Sequence, residues 1–184
     1  MYRVLIVDDE PNILTALRRN LSSIPVNMLD GDRLELIPAN SPDDAVQLAI
    51  AETFDLVISD LRMPGMSGVE LLAEIASRHP HTARILMSGY ADLAAIVSAV
   101  NEANIFRFVA KPWDDNDMRM AVVQALRYRA IILENQRLAD IVRAQRSQLD
   151  RQDAELQRLE AEHPGITRID RDETGAIFID EDDL

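Results

Sequence analysis

The sequence predicts an α/β fold, a doubly wound five-stranded parallel sheet of order 2-1-3-4-5, continued by a long C-terminal coiled-coil helix. Three observations carry this. From residue 1 to about 128, short apolar runs alternate strictly with segments of helical periodicity, the pattern of a parallel sheet covered on both faces. Several apolar runs stop at a polar residue, as expected where strands deliver working groups to their carboxyl ends. Beyond residue 128 the helical signal continues as a heptad repeat.

Val4 to Val7 reads as the first strand, and Asn12 to Leu21 as a helix with apolar residues at 13, 14, 17 and 21. Between Leu21 and Leu34 lies SSIPVNMLDGDR, an extended loop or a small hairpin turning at Asp30-Gly31. Leu34 to Ile37 is a second strand. Ser41-Pro42-Asp43-Asp44 then opens a helix with an N-cap, a proline at its first position and acids in its first turn. Leu56 to Ile58 is the third strand, running on to Ser59 and Asp60, and Gly68 to Ser77 the next helix. Arg84 to Met87 is the fourth strand, followed by a helix from about Asp92 to Glu102. Phe106 to Val109 is the fifth, and the last helix begins near Asp114.

Tyr128, Ile131, Asn135, Leu138, Val142, Gln145, Leu149, Gln152, Leu156 and Leu159 alternate steps of three and four. This seam suggests a two-stranded coiled coil and a homodimer, with Asn135 setting register; the alternative is a solvated, frayed helix. The expected organisation is therefore a domain over 1-128, a coiled-coil helix over 129-162 and an acidic tail over 163-184. In that tail Ile166 to Ile169 and Ala176 to Ile179 could pair as a hairpin.

Composition narrows the function. Net charge is −13, with 32 acidic against 19 basic residues, and no sustained basic cluster, which argues against a nucleic-acid partner. The absence of cysteine excludes disulfides, thiolate metal sites and cysteine nucleophiles. With neither a secretory signal at MYRVLIVDDE nor a membrane-length apolar run, a cytoplasmic protein without a membrane partner is the expectation.

The strand ends assemble the chemistry. Asp8-Asp9 closes the first strand, Asp60 the third and Ser88 the fourth, while Lys111 follows the fifth. Parallel strands lie about 4.8 Å apart, so these groups can share one patch. Clustered carboxylates repel unless a cation sits among them, and oxygen-only ligands suit a hard ion such as Mg²⁺. Lys111 brings a point charge suited to a phosphoryl oxygen, and Ser88 a hydroxyl donor. The set suits phosphoryl transfer, and a carboxylate can itself be the nucleophile.

VLIVDDE, SDLRMPGMSGVELL, ILMSGY and FRFVAKPW, in this order and spacing, resemble the receiver domain of two-component response regulators. The resemblance covers about residues 1 to 128 and implies the CheY-like, flavodoxin-like sheet. It implies Asp60 as phosphoacceptor from a sensor histidine kinase, Asp9 as a direct Mg²⁺ ligand, Asp8 as a ligand through water, and the Arg62 backbone carbonyl as a further ligand. Ser88 and Lys111 would hold the phosphoryl oxygens, with a cis bond from Lys111 to Pro112. Ser88 and Phe108 would form the switch. Phe108 stands where relatives often carry tyrosine, and lacks its hydroxyl; ordinary packing is the competing reading. Arg62 and Tyr90 occupy the positions that tune dephosphorylation.

Other features read as structure. His79-Pro80-His81 is a loop rather than a metal pair, since no third ligand is near. Thr15 and Arg18-Arg19 form a solvated helix face, Trp113 a packing or interface residue, and Gly65 and Gly68 a turn and helix entry that match no phosphate loop. Residues 163 to 184 are too few for a helix-turn-helix or a catalytic domain. The expected output is therefore protein-protein interaction or dimerisation by a non-enzymatic signalling protein. The alternative is control of a cyclic-dinucleotide phosphodiesterase or cyclase supplied by a partner or a longer parent chain.

Overall fold

The structure, a computed structural model, describes residues 1–89 and 103–164. It divides into two compact units, Met1–Glu134 and the chain from Asn135 onward. In the first unit, β1 (Tyr2–Val7), β2 (Leu34–Ala39), β3 (Leu56–Asp60), β4 (Ala83–Ser88) and β5 (Arg107–Ala110) form one sheet of order β2-β1-β3-β4-β5. Every pairing is parallel. The order matches the expectation from sequence.

The continuous apolar runs follow from burial on both faces. Val4 and Ile6 of β1 pack with Ile58, Ile85 and Met87 against α1 (Pro11–Leu21) and the start of α4 (Asp115–Glu162). Leu5 and Val7 point the other way, with Val57 and Leu86, against α2 (Pro42–Ala51) and α3 (Gly68–Arg78). The helix starts are chemically marked. Ser41 Oγ accepts from Asp44 N at 3.1 Å, ahead of Pro42. Ser67 and Glu70 form a reciprocal capping box, and the bonds that Glu70 accepts from the Ser67 backbone and hydroxyl hold its carboxyl below the usual range.

Several boundaries differ from the sequence reading. β2 runs on through Pro38 to Ala39; β2 is an edge strand, where a missing N–H costs no ladder bond on its open side. β3 includes Ser59 and Asp60, and β5 is Arg107–Ala110. The segment between α1 and β2 is not a hairpin. Val26–Leu29 is a 3₁₀ turn, and Asp30 and Gly31 follow with φ of 55° and 89°. The Asp-Gly pair supplies positive φ as expected, but it closes a helical turn instead of joining two strands. Ile24 and Leu29, buried in the α1–α4 cluster, hold the segment there. The anticipated helix at 92–102 and hairpin at 166–179 lie outside the described residues.

α4 is a single helix of 48 residues. Its first turns are anchored: Met118, Ala121, Val122, Val123, Ala125 and Leu126 are buried. Asn20 Nδ2 donates to Asp115 O at 3.1 Å, and Arg129 pairs with Asp55 at 2.8 Å. In the second unit the helix carries Leu138, Ile141, Val142, Leu149 and Leu156 as exposed apolar residues. Among the described residues no helix is long and apolar enough to cross a membrane.

Candidate phosphoacceptor site

The sheet register builds the site. Val7 pairs with Ser59, so the next residues, Asp8 and Asp60, leave β1 and β3 side by side. Asp60 aligns with Met87, and Ser88 with Ala110, which places Ser88 and Lys111 at the same carboxyl edge. Asp8 and Ser88 are 0% and 2% exposed, and Asp60 6%.

Lys111 connects the carboxylates. Its Nζ donates to Asp8 Oδ2 at 2.7 Å and lies 2.5 Å from Asp60 Oδ1. Burial alone would push the Lys111 amine down, but the hydrogen bonds it donates to Asp60 and Asp8 outweigh this and leave its pKa above the ordinary value of 10.5. The other carboxylate oxygens are engaged by backbone: Asp8 Oδ1 accepts from Glu10 N at 2.9 Å and Asp60 Oδ2 from Arg62 N at 2.8 Å. Lys111 is fixed in turn, its N–H donating to Ser88 O at 2.7 Å, with a cis bond to Pro112. Asp9 is exposed beside Asp8, and Arg62 is exposed past the end of β3.

The backbone of Asp60 is gripped from behind. Ser59 Oγ donates to Asp60 O at 2.9 Å. A Cβ on Gly68 would lie 1.9 Å from the same oxygen, so only glycine lets α3 start this close to β3. Neither contact was assigned from sequence. Ser59 interrupts an apolar strand, which is the sequence signal for its contact; Gly68 carries no signal in the sequence beyond helix entry.

The remaining candidates fall as follows. Phe108 is half-buried and lines a surface trough of about 310 Å³ with Arg107, Pro112, Trp113, Asp114 and Asp117. Trp113 packs, partly buried, on the α1–α4 cluster. His79 closes α3, its Nε2 2.7 Å from Ala49 O, a structural contact between helices. Thr15, Arg18 and Arg19 are exposed. Tyr90 lies outside the described residues. A larger concavity of about 700 Å³ sits between α1 and α2 at the β2 edge, and none of Asp8, Asp60, Ser88 or Lys111 lines it.

Carboxylate oxygens of this kind suit a hard cation, which would share Asp8 and Asp60 with the Lys111 ammonium. Among the described residues, no three acidic or histidine side chains yet surround a single point, since Asp9 is exposed while Asp8 and Asp60 are drawn to Lys111.

A doubly wound sheet with an acidic, lysine-bridged cluster at its carboxyl edge defines a phosphoacceptor class of signalling fold. The chain belongs to the response regulator receiver domain family, whose pattern matches residues 4–123. It is 37% identical over 123 residues to the hydrogenase transcriptional regulatory protein HoxA of Cupriavidus necator, covering 67% of this chain and 24% of that protein. The chain thus spans about a quarter of the length of the curated relatives it matches. Among solved structures, the signal receiver domain of an HD domain-containing protein from Pseudomonas fluorescens Pf-5 matches with a TM-score of 0.63 and 38% identity, over 70% of this chain and 97% of that one. A structure described as adenylate cyclase from Rhodopirellula baltica matches with a TM-score of 0.65 and 28% identity, over 76% of this chain and 97% of that one.

Proposed function

We propose that this chain is a phosphorylation-controlled switch in which Asp60 accepts a phosphoryl group from a sensor histidine kinase. The observation that carries the reading is the Lys111 ammonium between Asp8 and Asp60 at the carboxyl edge of the sheet. An Asp60 carboxylate oxygen forms the new P–O bond as the P–N bond of the kinase phosphohistidine breaks, and the imidazole leaves with the electron pair. Asp8, Asp9, Asp60 and the Arg62 carbonyl would hold Mg²⁺, which supplies charge neutralisation on the phosphoryl oxygens. Lys111 keeps its positive charge at neutral pH, since its pKa is raised, and so remains available to those oxygens. Ser88 supplies a hydroxyl at the same edge.

Phosphorylation turns the monoanionic Asp60 side chain into a dianion with more acceptors, which redistributes Lys111 and Ser88 between two arrangements. Phe108 follows as the aromatic of the switch, and Arg62 and Tyr90 set the access of water to the phosphoryl group. The output is contact with a protein partner and pairing of two chains through α4. The exposed apolar residues of that helix support this reading. A second reading is control of a cyclic-dinucleotide phosphodiesterase or cyclase, on a partner or in a longer parent chain; the match to a structure described as an adenylate cyclase supports the cyclase branch.

Beryllofluoride with Mg²⁺ should change the fluorescence of Trp113 in the wild type and leave Asp60→Ala unchanged. An equal response in both proteins would sink Asp60 as the acceptor.

A further inference from the structure

The apolar stripe of α4 is interrupted, and its interruptions identify what covers it. Tyr128, Ile131, Leu138, Val142, Leu149 and Leu156 are all between 46% and 61% exposed. Asn135, Gln145 and Gln152 fall in the same stripe and are exposed as well. In heptad terms Tyr128, Asn135, Val142, Leu149 and Leu156 share one core position, and Ile131, Leu138, Gln145, Gln152 and Leu159 share the other. We propose that a second copy of this chain covers the stripe as a parallel, in-register, two-stranded coiled coil. This rests on the dimer reading above and adds its direction and register.

Matching of the layers decides between the arrangements. In a parallel pair every residue of the seam meets its own counterpart. Asn135 meets Asn135, Gln145 meets Gln145 and Gln152 meets Gln152; an amide both donates and accepts, so each of these layers satisfies itself. All apolar layers are then apolar on both sides. In an antiparallel pair the two core positions face each other instead. The register that sets Asn135 against the partner's Gln152 also sets Val142 against the partner's Gln145, twice by symmetry, at the middle of the seam. A buried amide facing valine loses its water without gaining a partner.

Sliding by one heptad does not rescue the antiparallel form. Setting Asn135 against the partner's Gln145 gives Val142 a leucine, but it brings Leu159 opposite the partner's Ala121. Ala121 is 0% exposed within the first unit, so no helix can reach it. The opposite slide matches Leu156 with Leu138 but places Leu159 on Asn135, Gln152 on Val142 and Gln145 on Leu149, a polar group against an apolar one in three of the four layers. The parallel pair is the arrangement without a conflict. Val142 at the first core position beside Leu138 at the second also favours two strands, and Asn135 penalises any shifted register. Tyr128 of each first unit then faces its counterpart, which joins two phosphoacceptor sites in one assembly.

The chain contains no cysteine, so introduced thiols report unambiguously. Asn135→Cys and Gln152→Cys would be made separately in the full chain, with Asp140→Cys, on the outer face, as a control for chance collision. Under mild oxidation, each of the first two should link to itself as a covalent dimer on a non-reducing gel, several-fold more than the control. Light scattering of the unmodified protein should give twice the 20.7 kDa chain mass. A dimer in which Asn135→Cys links to Gln152→Cys in a mixture, but neither links to itself, overturns the direction and register while sparing the dimer. A monomer, or a mass of three or four chains, overturns the two-stranded assembly itself; the beryllofluoride response of Asp60 is independent of either result.

Discussion

Ile58 and Leu149 are both large aliphatic residues inside regular elements, yet Ile58 is fully buried on β3 and Leu149 is 59% exposed on α4. The same contrast runs along α4 itself, from the buried Leu126 to the exposed Val142. In the first unit a side chain finds its partners on other elements of its own chain: Ile58 packs with Ile6, Ile85 and the helices over them. In the second, the described chain is one helix, and a lone helix has no second surface on which to lay an apolar stripe. The difference separates a core that the first unit covers by itself from a stripe that no described residue of the chain covers.

The largest effect that would test this separation is at Ile58. Ile58→Ala should lower the stability of the first unit by about 2–5 kcal/mol, read as a lowered urea midpoint by Trp113 fluorescence. Leu149→Ala should leave that midpoint within about 0.5 kcal/mol while moving the light-scattering mass toward the monomer. A coincident loss in both variants would merge the two units into one cooperative body and end the comparison.

Next in size is the charged cluster. Lys111→Met leaves Asp8 and Asp60 without their shared cation and should cost about 2 kcal/mol, below the loss for a fully buried pair because the lysine side chain is 21% exposed. Added Mg²⁺ should restore more stability to this variant than it adds to the wild type. The pH dependence has a definite sign. The folded pKa of Lys111 lies above the ordinary 10.5, so its contribution is complete at neutral pH and is lost as pH rises from about 10.5 through the folded value. The stability difference between wild type and Lys111→Met should therefore shrink across that alkaline range and hold steady between pH 9 and neutral pH.

Comparable in size is the effect at Gly68. A methyl group there meets the Asp60 carbonyl oxygen, so Gly68→Ala should destabilise by about 1–3 kcal/mol through a displaced start of α3. Phosphoryl uptake from acetyl phosphate should slow as well, because the displaced backbone belongs to Asp60. Normal uptake with lowered stability would confine Gly68 to a packing role.

Much of the site was legible because parallel strands all end on the same edge, so a polar residue at the end of an apolar run is placed without any knowledge of contacts. Asp60, Ser88 and Lys111 follow from that rule alone. The division of labour between Asp8 and Asp9 does not. The two are adjacent carboxylates of equal chemistry, and it took the register of β1 on β3 to bury Asp8 against Lys111 and leave Asp9 exposed. Similarly, the Asp30-Gly31 pair announces positive φ but not whether strands or a 3₁₀ turn flank it; burial of Ile24 and Leu29 chose the turn.

By itself the sequence determined the alternation of the described strands and helices, the residues gathered at the sheet's carboxyl edge and the heptad stripe of α4. Each is a matter of periodicity or of strand direction, which local patterns encode. Only the tertiary structure decided that Lys111 bridges Asp8 to Asp60, that Ser59 and Gly68 clasp the Asp60 backbone, and that α4 passes from buried to exposed after Leu126. These depend on which distant side chains arrive within hydrogen-bond or van der Waals distance, and such distances are set by packing between elements rather than by the order of residues within one.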